Sequence, residues 1–339
     1  MAVLYRREEI YMPDILPLYA PKWEPLTIEI DPLCGRIREN HFDNRITFYA
    51  PGLKNYKTSE YCGHSATEFV SISVTGENCA LSCEHCKTKS LHGMLDVRGF
   101  EGGLFGMCQK LAEKGARGVL VSGGSDIHGR VPLMKHIPDM IRVRRELGMA
   151  IRVHPGIPDE ETCAALAKVD VDGVMLDIIG DQETITEIYH LDKTPQDYED
   201  VLERLHRYNV PAIPHIILGH YFGKMNGEWA ALEMIKKYPP KTMVLVVLMP
   251  LQGTGMRVEQ LPSLDEMGKF FELCRQSLPQ TPIILGCARP MGPVKLEIDK
   301  LAIDAGLNGV AYPADGMVEY ARQRGLETDF INACCGVSW

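Results

Sequence analysis

From Phe69 onward, short apolar runs alternate with longer amphipathic stretches in a regular order. The first run, FVSISV at 69–74, carries small or apolar side chains throughout, which suits a strand covered on both faces. The Gly-bounded stretch LFGMCQKLAEKG predicts a helix, GVLVSGG a second strand, 132–147 another helix and MAIRVHPG a third strand. DGVMLDIIG, VPAIPHIILG, TMVLVVLMP, TPIILGC and NGVAYP continue the series, each followed by a helical stretch, with the eighth strand at 309–312 and a last helix near 316–324. Eight βα units predict an α/β fold of the (βα)8 TIM-barrel type, with functional groups gathered at the C-terminal ends of the strands.

The barrel is expected over 69–325. Residues 1–68, rich in Pro and aromatics (YMPDILPLYAPKWEPL), do not follow the repeat and are expected to form an N-terminal extension packed on the barrel; 326–339 form a short Cys-containing tail. The formal charge of −9 is spread without long blocks, which argues against nucleic acid as a partner. No apolar run reaches membrane-spanning length and the start MAVLYRREEI lacks the apolar middle of a signal peptide, so the expectation is a cytoplasmic protein. In a reducing compartment, 11 cysteines point to metal or reactive thiols rather than disulfides.

Three of them, Cys79, Cys83 and Cys86 in NCALSCEHC, follow the first strand and so fall at the functional rim. Three thiolates can hold three irons of a four-iron cluster and leave the fourth iron open. A structural zinc would ask for a fourth ligand, and His85 is the nearby candidate. At the end of the second strand SGGSD supplies Gly123 and Gly124, where main chain can approach a ligand closely, or simply a turn. His154, Asp177, His215 and Arg289 are further polar residues near strand ends.

The spacing C-x3-C-x2-C after a first barrel strand resembles the signature of the radical S-adenosylmethionine (SAM) enzymes, and the resemblance runs over 69–325. It implies a 4Fe-4S cluster on Cys79, Cys83 and Cys86 whose open iron chelates SAM, and reductive cleavage of SAM to a 5'-deoxyadenosyl radical that takes hydrogen from an unactivated carbon. It also implies SAM contacts from Gly123 and Gly124, from Ser125 or Asp126 at the acidic position, from Asp177 to the ribose, and from Ile217 and Leu248 to the adenine; His85 stands where the family commonly has an aromatic residue. PLQGTG after strand six and GCARP after strand seven resemble the biotin-synthase-related group, and CALSCEHC, SGG, PHIILGHYFGK and LGCARPMG are similar to two-component lipoyl synthases, which insert sulfur into an octanoyl chain on a protein lysine. The implied partners are a ferredoxin- or flavodoxin-type electron donor, a second radical SAM subunit and a lipoyl-domain carrier protein.

Cys108, Cys163 and Cys274 sit at helical spacing among apolar residues and read as core. Cys34, Cys62, Cys287, Cys334 and Cys335 do not. They are either unrelated thiols or, if both termini fold over the barrel mouth, the ligand pool of a second iron-sulfur cluster that serves as sulfur source. Two other readings stand beside this one: a different biotin-synthase-like radical reaction, such as a carbon rearrangement or cofactor maturation step, and a non-catalytic iron-sulfur electron carrier.

Overall fold

The computed structural model describes residues 29–51, 56–61, 68–258 and 260–337. The eight expected strands form in the expected order: β2 (Phe69–Ser73), β4 (Gly118–Ser122), β5 (Ala150–Val153), β6 (Gly173–Asp177), β7 (Ala212–Leu218), β8 (Met243–Val247), β9 (Ile283–Leu285) and β10 (Gly309–Ala311). Three more strands join them among the described residues: β1 (Arg45–Tyr49), β3 (Leu95–Asp96) and β11 (Glu327–Ile331). Every pairing is parallel, in the order β11-β1-β10-β9-β8-β7-β6-β5-β4-β2-β3, so the fold is a curled α/β sheet.

Parallel neighbours require crossovers, and the amphipathic stretches supply them as helices on the outer face. These are α2 (Gly103–Glu113), α3 (Ile137–Arg142), α4 (Glu160–Val169), α5 (Pro195–Arg207), α6 (Glu228–Lys237), α7 (Leu264–Ser277), α8 (Pro293–Asp304) and α9 (Met317–Gln323), with α1 (Pro32–His41) preceding β1. Their starts are chemically marked. Thr194 and Asp197 form a capping box at α5, Ser263 and Glu266 another at α7, and Asp159 caps α4 by accepting from the Thr162 N–H at 2.9 Å. The stretch 132–147 is helical in three pieces, a 3-10 turn at Met134–His136, then α3, then a π segment at Val143–Leu147. Cys108, Cys163 and Cys274 are fully buried in the layer between helices and sheet.

The sheet does not close on itself by strand pairing: β1 lies on β10, and β11 forms the far edge. Segments on both sides of the eight expected strands therefore contribute a strand to the sheet. A hydrogen bond from Asn332 Nδ2 to Glu68 Oε1 at 3.2 Å joins the two margins. Inside the curl, Tyr49, Phe69, Met175, Ile213, Val244, Ile284 and Ala311 pack against the tail residues Ala333, Cys334, Cys335 and Val337. After β11 the tail thus turns inward and takes up interior space that side chains alone fill in a closed eight-stranded barrel. Among the described residues no helix is long and apolar enough to cross a membrane.

Arg289, one of the rim candidates, is consumed by the fold. Its Nε donates to Asp299 Oδ1 at 2.6 Å, its Nη1 to the Gly286 carbonyl at 2.7 Å and its Nη2 to the Tyr312 carbonyl at 3.0 Å, while Lys295 Nζ donates to Asp299 Oδ2 at 3.0 Å. Arg289 and Asp299 are essentially inaccessible. This triad ties the loop after β9 to α8 and β10, and one carboxylate serves two buried cations. Asp299→Ala should therefore cost about 3–5 kcal/mol, because it leaves both cations buried without their counter-charge. Denaturant titration checks this, and a loss under about 1 kcal/mol, the level of an exposed pair, would mean that water reaches the site.

Candidate active site at the mouth of the barrel

The cysteine loop leaves β2 at Ser73, whose Oγ donates to the Gly76 carbonyl at 2.6 Å. Within it Ser82, Lys87 and Thr88 adopt positive φ angles of 49°, 44° and 67°, a conformation that non-glycine residues hold only when their surroundings fix it. The main chain provides that fixation. Lys87 N–H bonds to the Cys83 carbonyl at 2.8 Å, and three neighbouring loops are tied on: Ala80 N–H to Ser125 O at 2.8 Å, Glu84 N–H to Ile188 O at 2.9 Å and Leu251 N–H to His85 O at 3.2 Å. The thiols are held between the loops that follow β4, β6 and β8.

Cys79, Cys83 and Cys86 line one cavity of about 330 Å³ together with Ser122, Gly123, Gly124, Ser125, His154, Asp177 and Tyr189. The Ser125 N–H points at Cys79 Sγ, 3.3 Å away, a donor that favours a thiolate. Cys83 and Cys86 share a hydrogen bond that, with a further one from His85, holds Cys86 down to about 4, while that bond and burial push Cys83 up. Among the described residues no three metal-ligating side chains converge on a single point, as one zinc ion would require. The donor set fits a four-iron cluster: soft sulfurs around a shared cavity, one already facing a main-chain N–H.

Gly123 and Gly124 press on the cysteine loop. The Gly124 N–H donates to Thr75 Oγ1 at 2.7 Å, and a Cβ on Gly124 would lie 2.0 Å from the Asn78 carbonyl oxygen and 2.5 Å from Cys79 Cβ. Ser125 faces the cavity. Asp126 does not line it: its carboxylate accepts from the N–H groups of His128 and Arg130 at 2.8 and 2.9 Å and pairs with the Arg130 side chain, closing a turn. Asp177, at the end of β6, lines the cavity and accepts from the Tyr189 hydroxyl at 3.1 Å. Burial pushes Asp177 up, but His154, His215, His220 and His85 outweigh it and hold the carboxyl below its usual range. Burial in turn lowers His215 to about 4 and His220 to about 3, so both imidazoles are neutral near pH 7. His215 Nδ1 lies 2.9 Å from the Ile213 carbonyl, which fixes the proton there and leaves Nε2 as an acceptor.

Beside the cavity His85, Tyr189 and His220 form a triangle of edge-on rings with centroids 5.1–5.3 Å apart. Buried Glu228 holds the loop that carries His220, accepting from the N–H groups of Gly219 at 2.7 Å and Asn226 at 2.6 Å. Ile217 and Leu248 pack with Met256 and Val258 under the loops after β7 and β8 and do not line the main cavity. Tyr189, His220 and Glu228 were not singled out from sequence. Tyr189 belongs to no motif, and a buried glutamate that accepts only main-chain N–H groups leaves no pattern in the chain.

The five remaining cysteines separate. Cys34 lies on α1, its Sγ 4.0 Å from the Glu272 carbonyl of α7 on the outside of the barrel, where burial pushes its thiol up to about 11. It does not join the others, because α1 packs on the outer helical layer. Cys62 lies outside the described residues. Cys287, just beyond β9, packs against the inner cluster that holds Cys334 and Cys335. The neighbouring Cys334 is pulled below its usual range by a hydrogen bond from Cys335 and by Arg152.

No family model matches the chain. A biotin synthase of Chlorobaculum parvum is 25% identical over 307 residues, covering 84% of this chain and 86% of that protein. Methylornithine synthase (PylB) superposes with a TM-score of 0.58 at 16% identity, covering 90% of this chain and 91% of that one. The hydrogenase maturase HydG gives 0.59 at 14% identity, over 90% of this chain and 70% of its own. At such identities the two structures speak to the fold, which is the same curled parallel sheet. The cysteine triplet and this relative in sequence support a radical SAM reading of the biotin-synthase-like kind for this chain.

Proposed function

We propose that this protein inserts sulfur at an unactivated carbon of an octanoyl chain carried on a protein lysine, in the manner of a lipoyl synthase. When bound and reduced, a 4Fe-4S cluster with SAM supplies a carbon radical able to take hydrogen from such a position. The chain's own residues do the rest. Cys79, Cys83 and Cys86 would hold three irons, and the Ser125 N–H supports the Cys79 thiolate. Asp177, fixed by Tyr189, presents an ionised carboxylate to the cavity for a hydroxyl-bearing ligand. The inward tail closes the barrel interior from below, which keeps water from a reactive intermediate. The observation that carries the sulfur half of the reading is the meeting of Cys287, Cys334 and Cys335 inside the same barrel. Sulfur must lie near the reacting carbon, and these thiols are in that interior.

The reaction asks for a one-electron donor of ferredoxin or flavodoxin type, a carrier protein bearing the octanoyl group and a second radical SAM subunit. Incubated with reductant, SAM and an octanoyl-lysine peptide, the reconstituted protein should give a peptide heavier by sulfur. Deoxyadenosine with no sulfur-bearing peptide, with and without a partner radical subunit, would reject the octanoyl reading. One observation favours a second reading. Ser122, His154 and Asp177 line the cavity with polar groups that an alkyl chain does not need, and a small polar substrate undergoing carbon rearrangement would use them. Hydrogen abstraction from a polar amino acid in place of the octanoyl peptide would establish that alternative.

A further inference from the structure

Hydrogen abstraction leaves unexplained a buried cation at the other end of the barrel. Arg152 lies on β5 and is 7% exposed. Its Nη2 donates to the Gly336 carbonyl of the tail at 2.7 Å, and its buried Nη1 has no hydrogen-bond partner among the described residues. The ionisable groups that act on it are Cys334, Asp172, Cys335 and Tyr49. Asp172 is engaged elsewhere, accepting from the Ile151 N–H at 2.7 Å and from Arg144 at 3.1 Å. A guanidinium taken out of water without an anion is costly, so the site is complete only when negative charge sits beside Arg152. The groups placed to carry that charge are Cys334 and Cys335, two residues and one residue before the Gly336 that Arg152 holds, and packed against Tyr49, Ile213 and Ile284. Arg152 and Gly336 also line a cavity of about 650 Å³ that opens among the N-terminal strand ends, with the exposed cations Arg45 and Lys241 at its rim. The route to Arg152 is thus from the end of the barrel opposite the cysteine triplet.

We propose that Cys334 and Cys335, with Arg152, form a persulfide-loading site that takes sulfur from a small sulfane donor entering through this lower cavity. The donor enters as the hydrodisulfide anion HS–S⁻, takes a proton from solvent, and the Cys334 thiolate attacks one sulfur of the resulting HS–SH. An Sγ–S bond forms, the donor S–S bond breaks, and its electron pair leaves with hydrosulfide. Oxidation level is conserved and no further reductant or oxidant enters. The new persulfide, ionised, gives Arg152 Nη1 the anionic partner it lacks, and its proton goes to the departing hydrosulfide. Cys287 packs against the same inner cluster as these two thiols. The purpose of the site rests on the sulfur-insertion reading; its test does not.

The full-length protein, anaerobic and thiol-reduced, is treated with sodium disulfide, alkylated and mapped by peptide mass spectrometry. The peptide that holds Cys334 and Cys335 should carry one added sulfur, with Cys108, Cys163 and Cys274 unmodified as internal controls. Arg152→Met should slow loading at least about tenfold, since a buried charge-assisted contact is removed. Should that variant fail to fold, Lys241→Glu at the exposed rim should still slow it by about threefold, because the entering donor is anionic. An unmodified tail in folded protein would overturn the proposal. So would equal labelling of the core thiols, a rate indifferent to Lys241→Glu, or tail thiols protected by stoichiometric iron in the reconstituted protein, the last pointing to a second cluster. An octanoyl product from a Cys334→Ser/Cys335→Ser double variant would overturn the loading site and keep the sulfur-insertion reading. Loading without any such product would support the site and reject that reading.

Discussion

SAM cleavage should fall to background when Cys79, Cys83 and Cys86 are replaced together by Ala. The expected loss is complete because the three sulfurs are the soft donors of the cavity, and a four-iron cluster held by fewer ligands is lost to chelation or solvent. The fold should survive. The thiols' own bonds, Ser125 N–H to Cys79 Sγ, Cys83 Sγ to the Tyr189 carbonyl and the one shared by Cys83 and Cys86, are lost, but the main-chain bonds of the loop with Ser125, Ile188 and Leu251 do not involve the thiols and Ala leaves them in place. The measurement is deoxyadenosine formed by the anaerobically reconstituted, reduced variant, with a thermal melt alongside. Deoxyadenosine at the wild-type level would place the cluster on other residues.

What could be read from the chain and what could not follows the range of the interactions. The triplet and the Gly-Gly turn are local spacings, and the strands that carry them are apolar runs of ordinary length, so their place at one rim was visible in advance. β1 was not, although RITFY is a good strand. It lies in a Pro- and aromatic-rich stretch, and its partners, Gly309–Ala311 and Glu327–Ile331, are more than 250 residues away. The inward tail is hidden for the same reason: nothing in ACCGV signals that Arg152 will meet Gly336. Cys34 looked equivalent to the terminal cysteines because composition cannot tell which side of a sheet a helix covers. Asp126 looked like the acidic partner of the Gly-Gly turn, but a carboxylate two residues before a free N–H is also the ordinary way to close a turn, and here that local bond wins.

The sharpest case concerns Gly124, which the resemblance makes a SAM contact, so that an added side chain would be expected to act on the ligand. Tertiary structure points the missing Cβ the other way. It would meet the Asn78 carbonyl oxygen at 2.0 Å, Cys79 Cβ at 2.5 Å and Cys79 Cα at 2.6 Å, all far inside contact distance, and two of the three are main-chain atoms that no rotamer change can move. Gly124→Val must therefore displace the strand-to-loop segment that presents Cys79 and break the Ser125 N–H to Sγ contact with it. Iron content after reconstitution should fall several-fold together with SAM affinity, at a stability cost of about 1–3 kcal/mol typical of overpacking. Gly123→Ala is the graded comparison. Its Cβ would approach Thr75 Oγ1 at 3.0 Å and Val74 Cγ2 at 3.2 Å, side-chain atoms able to yield by a few tenths of an ångström, so iron loading should stay near wild type. Iron and sulfide assays with the visible absorbance of the cluster separate the two accounts. Full iron in Gly124→Val with SAM binding lost would mean that the loop yields and the side chain reaches the ligand, whereas joint loss would make this glycine a support of the cluster rather than a contact of the cosubstrate.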